Sequence, residues 1–157
     1  MHKIHLTTFI KAPVERVFDL SRNLTIFKAT LQNRKEKFTS GAGASLVDQG
    51  DTLTLHAKHL GKNRVMTARV VELSKGESFV EEQVKGDLKS FRHERHFKTV
   101  ANGTILIDLL EFEGPRDMMG SFFSKFYLKT YLEKLVRHRN EVIRKYAETE
   151  KWRAVLG

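Results

Sequence analysis

One segment, Phe91 to Pro115, constrains the fold more than any other: a polar-laced strand, Asn102-Gly103, a second strand, then Gly114-Pro115 ahead of a long amphipathic stretch. Asn-Gly between two strands reads as a hairpin turn, because the central residues of the favoured two-residue turns need positive φ. Pairing then decides which side chains share a face. For any two- or four-residue loop centred near Ala101 to Gly103, odd-numbered residues of the first strand lie opposite even-numbered residues of the second. One face therefore carries Phe91, His93, Arg95, Phe97, Leu106, Asp108, Leu110 and Phe112, while the first strand's other face carries Ser90, Arg92, Glu94, His96 and Lys98, which suits water. An imidazole, a guanidinium and a carboxylate are thus expected among aromatic and aliphatic groups on the inward surface. The same parity turns Ile105, Ile107 and Leu109 outward, where they are expected either to be partly covered by another chain, as in a homodimer, or to leave an exposed apolar strip.

The rest of the chain supplies the partners of that hairpin. Ile4, Leu6, Thr8 and Ile10 alternate with His5, Thr7 and Phe9, a strand with at least one buried face, which Ala12-Pro13 stops. Pro13 suits the first turn of a helix, Glu15 complements its dipole, and Val14, Val17 and Phe18 form its apolar stripe. A second short helix is expected over Leu24 to Leu31, capped by Ser21 or Asn23. Strands follow near 33–40, 51–60, 64–74 and 78–85, joined by short turns such as Gly61-Lys62-Asn63, so they should form an antiparallel meander with the hairpin. The last element is one helix over 117–147, with Met119, Phe122, Phe126, Leu128, Leu132, Leu135, Val142, Ile143 and Tyr146 inward and Lys125, Lys129, Lys134, Arg137 and Lys145 outward. The order predicts an α+β fold: about seven strands in a curved antiparallel sheet around a long C-terminal helix, with two short helices after the first strand. A space is expected at the helix's amino-terminal half, where Met118, Met119, Phe122, Phe123 and Phe126 concentrate.

A length of 157 residues, 40% of them hydrophobic, with two prolines and no linker-like stretch, fits one domain over 1–157. The absence of cysteine excludes disulfides, thiolate metal sites and cysteine nucleophiles. No run approaches a membrane span and no signal peptide is legible, so a cytoplasmic location is expected. The net charge of +9 is diffuse: residues 116–157 carry ten Lys/Arg against five Asp/Glu, and no basic run with interleaved aromatics occurs. A specific nucleic-acid site is therefore not expected.

At this point the sequence resembles the START/SRPBCC superfamily, the helix-grip fold of the birch-pollen allergen and the polyketide cyclases, and within it a bacterial ligand-binding subgroup. The resemblance rests on "FIKAPVERVFDLSRNL", "FVEEQVKGDLKSFRHERHF", "NGTILIDLLEFEGP" and "YLEKLVRHRNEVI", which occur in that order over nearly the whole chain. It implies a hydrophobic cavity, but no single reaction, since function on a shared scaffold lives in the site. His93 matches the first histidine of the subgroup's midchain strand and Phe97 its terminal aromatic, while Arg95 stands where a second histidine is common.

The expected site is then the inward polar trio within apolar walls: Phe91, His93, Arg95, Phe97, Leu106, Asp108, Leu110 and Phe112 from the hairpin, and Met119, Phe122 and Phe126 from the helix. Arg95 suits a ligand carboxylate or phenolate, His93 suits proton exchange near neutral pH, and Asp108 suits orienting either; a purely structural ion pair is the competing reading. The leading expectation is a non-enzymatic binder of a small hydrophobic or amphipathic molecule, with no cofactor. The alternatives are a cyclase/dehydratase-like enzyme with His93 as acid/base, and a protein or membrane-surface interaction module. No metal site is expected, because His2/His5, His56/His59 and His93/His96 sit three apart on strands, where their rings point to opposite faces. Gly41-Ala42-Gly43-Ala44-Ser45 lacks a phosphate-loop pattern and reads as a flexible loop; Glu81 and Glu82 read as a solvated edge; Arg137, His138 and Arg139 read as a helix-surface cluster, with Arg139 near the apolar seam and placed to reach a glutamate.

Overall fold

The structure, a computed structural model, describes residues 1–32, 34, 36–41, 44–59, 62–115 and 122–157, with side chains at all of these except 59 and 122–125. Seven strands form one sheet: β1 (His2–Ile10), β2 (Lys37–Ser40), β3 (Thr52–His59), β4 (Lys62–Ser74), β5 (Ser78–Gly86), β6 (Leu88–Val100) and β7 (Gly103–Pro115). The helices are α1 (Val14–Ser21), α2 (Leu24–Leu31), α3 (Phe122–Ala147) and α4 (Trp152–Leu156). The spatial order is β1-β7-β6-β5-β4-β3-β2 with every neighbouring pair antiparallel, so the meander from β2 to β7 is closed off by β1 at its far edge. Register shifts between Thr67 and Ala68 and between Val70 and Glu72 insert bulges into the β4–β5 pair, and bulges bend and twist a sheet. The resulting α+β architecture is a curved sheet gripping α3.

Local chemistry starts and stops the short elements as their residues dictate. Pro13 stands at the extended cap of α1, and Asn23 caps α2 by accepting hydrogen bonds from the amides of Thr25, at 2.8 Å, and Ile26. β2 is shorter than its expected span, and Lys62 and Asn63, read as turn residues, instead open β4 opposite His59 and Lys58. The expected start of the long helix at Asp117 lies outside the described residues, as do Met118, Met119, Ala42, Gly43 and Gly61. α4 was not expected; its Trp152 ring stacks under the guanidinium of Arg16 at 4.2 Å, which ties the C-terminal end to α1. No described helix is long and apolar enough to cross a membrane.

The β6–β7 hairpin has the predicted parity but not the predicted turn. Val100 pairs with Gly103, so the two loop residues are Ala101 and Asn102, and Gly103 is the first residue of β7 at φ 157. A Cβ on Gly103 would sit 2.2 Å from the carbonyl oxygen of Ile10, so the glycine is required by the close approach of the end of β1. The register pairs Phe97 with Leu106, Arg95 with Asp108, His93 with Leu110 and Phe91 with Phe112, and all eight side chains are buried. On the outer face Ile105, Ile107 and Leu109 are half-buried rather than bare. They lie between Phe9, Thr7 and His5 of β1 and Lys98, His96 and Glu94 of β6, whose side-chain stems flank them within the same chain.

Candidate ligand-binding site

The inward row of the hairpin is a stack of four layers, and α3 closes it. At one end Phe97 and Leu106 pack with Phe18, Phe79, Ile143 and Ala147. Phe18 meets Phe97 edge-on at 5.1 Å and Phe79 at 5.9 Å, so three phenyl rings fill this end. At the other end Phe91 and Phe112 pack with Ile4, Leu6, Leu128, Leu132 and Val136. Between these ends lie the Arg95–Asp108 layer and then the His93–Leu110 layer.

Asp108 is the hub of the polar layer and has no solvent exposure. Its Oδ1 accepts hydrogen bonds from Arg95 Nε and from His93 Nε2, both at 2.7 Å, and its Oδ2 accepts from Asn140 Nδ2 at 2.7 Å. Asn140 Oδ1 in turn accepts from Arg95 Nη2, and Asn140 Nδ2 also reaches Thr8 Oγ1 at 3.2 Å. Burial alone would raise the pKa of Asp108, but the charge of Arg95 and the hydrogen bonds from His93 and Asn140 outweigh it and hold the carboxyl well below the usual carboxylate range. An ionised carboxylate has only acceptors, so His93 Nε2 is the donor in this bond. Among the described residues no group bonds Nδ1.

A hollow of about 120 Å³ opens beside this network, several times the roughly 10–15 Å³ that one water needs. Its walls are mostly apolar: Phe27 and Leu31 of α2, Phe38, Leu53, Leu55, Met66 and Ala68 of β2 to β4, Phe91 and Leu110, and Leu132, Leu135 and Val136 of α3. Three titratable side chains reach it, His93, Glu81 and Arg139. Glu81 pairs with His93 across β5 and β6, so it shares the inward face, while Glu82 faces out and pairs with Arg92. Arg139 lies over the Phe27 ring at 4.0 Å and donates from Nη2 to the Ser21 carbonyl at 2.8 Å, leaving its Nε buried without a partner. Burial and then the charge of Arg95 push the Arg139 guanidinium down to about 9, against the opposite pull of Glu81 and Asp108.

Several expected site residues stand elsewhere. Arg95 and Asp108 are not among the residues lining the hollow; they stand behind His93 and fix its ring. Phe97 and Leu106 belong to the filled end, and Phe112 stacks on the ring of His2 at 5.2 Å. Phe126 is 65% exposed, because the inward seam of α3 runs through Leu128, Leu132, Val136, Asn140, Ile143 and Ala147, and position 126 is off it. Met119 and the side chain of Phe122 lie outside the described residues. The described lining from α3 thus comes from its middle and not from the aromatic cluster near its start. Three polar residues were read only in part or not at all: Glu81 is buried rather than solvated, Arg139, read near the apolar seam, is buried on it rather than part of a surface cluster, and Asn140 bridges the ion pair. The only signal for the last two was their spacing of three and four from Val136 and Ile143 on the apolar seam.

No family model matches the sequence, and neither does any curated protein. Solved structures do match. The Zhui aromatase/cyclase from a Streptomyces species superimposes with a TM-score of 0.74 at 16% identity, over 94% of this chain and 93% of that one. TTHA0849 from Thermus thermophilus gives 0.70 at 19% identity, over 90% and 97%. A major latex-like protein from Panax ginseng gives 0.66 at 15%, over 93% and 97%. The chain therefore shares the helix-grip fold of these proteins, a scaffold found under different names and in different sources.

Proposed function

We propose that the protein binds a small, largely hydrophobic molecule in the hollow between the sheet and α3, with the molecule's polar end against His93, Glu81 and Arg139. The observation that carries this reading is the composition of the walls. Twelve apolar side chains supply burial worth about 25 cal/mol per Å², and three titratable groups among them supply orientation. The polar anchor expected at His93, Arg95 and Asp108 is thereby divided: His93 faces the ligand, Asp108 holds His93, and Arg95 holds Asp108. Native mass spectrometry of protein purified from its own host, with extraction of any retained molecule, tests the reading. Ala68→Phe, which fills the hollow, should abolish retention while the fold survives; retention unchanged by that substitution would place the ligand elsewhere.

A second reading has an observation of its own. An imidazole fixed at Nε2 by a buried carboxylate, with Nδ1 unbonded, is an arrangement suited to moving a proton, which favours a cyclase/dehydratase-like activity with His93 as acid/base. The aromatase/cyclase of the same fold is in keeping with it. His93→Gln separates the two readings. A binder keeps most of its affinity, whereas an enzyme keeps its binding and loses turnover.

A further inference from the structure

Glu81 and Arg139 approach the hollow from the sheet and from α3, and among the described residues they do not pair with each other. Glu81 is 7% exposed and Arg139 8%, yet no ion pair joins them among the described residues. Arg139 Nε is buried without an acceptor, and among the described residues no side chain donates to the Glu81 carboxylate. Buried polar groups are ordinarily bonded, so a guanidinium and a carboxylate that both line one hollow without pairing to each other describe the complement of what fills it. The charges add a second condition. Arg95 offsets Asp108 and Arg139 offsets Glu81, so the buried set is electrically balanced before anything enters.

We infer that Glu81 and Arg139 select a neutral ligand, one that offers a hydrogen-bond acceptor such as a carbonyl oxygen to Arg139 and a donor such as a hydroxyl to Glu81, and that they reject ionised acids. This rests on the ligand-binding reading above and narrows it. A carboxylate placed at Arg139 would satisfy one partner but bring a second negative charge beside Glu81 in a site with little water, where charge repulsion is weakly screened. An ammonium placed at Glu81 meets the same obstacle at Arg139. A carbonyl with a hydroxyl satisfies both groups and leaves the charge balance as it was. Specificity of this kind comes as much from what is repelled as from what is held.

Calorimetry with three matched naphthalenes tests the inference: 6-hydroxy-2-acetonaphthone, 6-hydroxy-2-naphthoate and 2-methylnaphthalene, at a near-neutral pH where the first is uncharged and the second ionised. The native protein should bind the hydroxyketone about tenfold or more tighter than the acid, and tighter than the hydrocarbon. Glu81→Gln should erase the discrimination against the acid by removing the repelling charge. Arg139→Met should weaken the hydroxyketone toward the level of the hydrocarbon. If the native protein prefers the acid, or if Glu81→Gln leaves the preference unchanged, the inference fails while the hydrophobic pocket stands. If none of the three binds, including the hydrocarbon, the pocket reading itself fails. Should either variant not fold, the order of the three affinities in the native protein decides alone.

Discussion

On one side of the Arg95–Asp108–Asn140 layer the space between sheet and α3 is filled, and on the other side it is not. The filled half is built from Phe18, Phe79, Phe97, Leu106, Ile143 and Ala147, with three phenyl rings in edge and stacked contact. The open half uses residues of similar hydrophobicity, Phe91, Leu110, Leu132 and Val136, yet leaves about 120 Å³ unfilled. Apolar content does not separate the two halves. The filled half has α1 pressed onto the sheet beside α3, through Val17, Phe18 and Leu20, whereas the open half is roofed by α2 and β2, whose Phe27, Leu31 and Phe38 stop at its wall. A fold can thus keep a stable core and a vacant one under the same helix, provided that something rigid separates them.

The ionic layer is that separator, and breaking it should have the largest effect. Arg95→Met or Asp108→Leu alone leaves an uncompensated buried charge and should cost about 3–5 kcal/mol in urea unfolding, because truncating one partner of a buried pair strands the other. The double variant should recover only part of that loss, since two apolar groups need no partner of their own but leave the Asn140 amide and His93 Nε2 without theirs. Single variants that unfold like the native protein would show the layer to be dispensable.

Next in size, core truncations should report the asymmetry directly. Ile143→Ala, in the filled half, should lie near the top of the roughly 2–5 kcal/mol range for such deletions, and Leu132→Ala, on the edge of the hollow, near the bottom. A wall that already lacks neighbours on one side has fewer contacts to lose. Equal costs would mean that the hollow closes up in solution.

Acid should act through the same layer. The folded pKa of Asp108 is depressed, so its contribution to stability is present above the carboxylate's ordinary value of 3.8 and is lost as the pH falls below that value toward the folded one. For one proton the slope of stability against pH is at most about 1.4 kcal/mol per unit. Denaturant midpoints measured from pH 5 downward should fall more steeply for the native protein than for the Arg95→Met/Asp108→Leu variant, which lacks the group. Parallel curves would assign the acid sensitivity to other carboxylates.

These regions also differ in how much of them the sequence disclosed. Strand order, the two short helices and the inward row from Phe91 to Phe112 were legible, because period-two alternation fixes faces once a turn is located within a residue or so. Even a misassigned turn, Ala101-Asn102 instead of Asn102-Gly103, left the parity intact. The walls of the hollow were legible only in part: Phe91, His93, Leu110, Leu132 and Leu135 were read as inward, and the polar residues beside them were not, for two physical reasons. On β5 the residues Phe79, Val80 and Glu81 are all buried next to a bulge, so alternation no longer tells inside from outside. On α3 a polar residue on the apolar seam is ambiguous in sequence. Arg139 and Asn140 look like breaks in a stripe until the acidic and cationic groups of another element are brought opposite them.

The smallest expected effect in stability is the most discriminating between the halves. Ala147 and Ala68 are both buried alanines, the first in the filled half at the end of α3 and the second on the β4 wall of the hollow. Enlarging each to leucine adds the same three carbons to two different surroundings. Ala147→Leu has no space to enter, so neighbouring side chains must leave their preferred rotamers, and overpacking of this kind costs about 1–3 kcal/mol. Ala68→Leu points into vacant volume and should change stability by no more than about 1 kcal/mol in either direction, the gain in buried apolar area offsetting the ordering of the longer side chain. Urea midpoints of the two variants measure the difference, and binding of the neutral naphthalenes should be weakened only by the substitution at Ala68. If Ala68→Leu costs as much as Ala147→Leu, the hollow is not available to side chains, and the distinction between a filled half and an open half is lost.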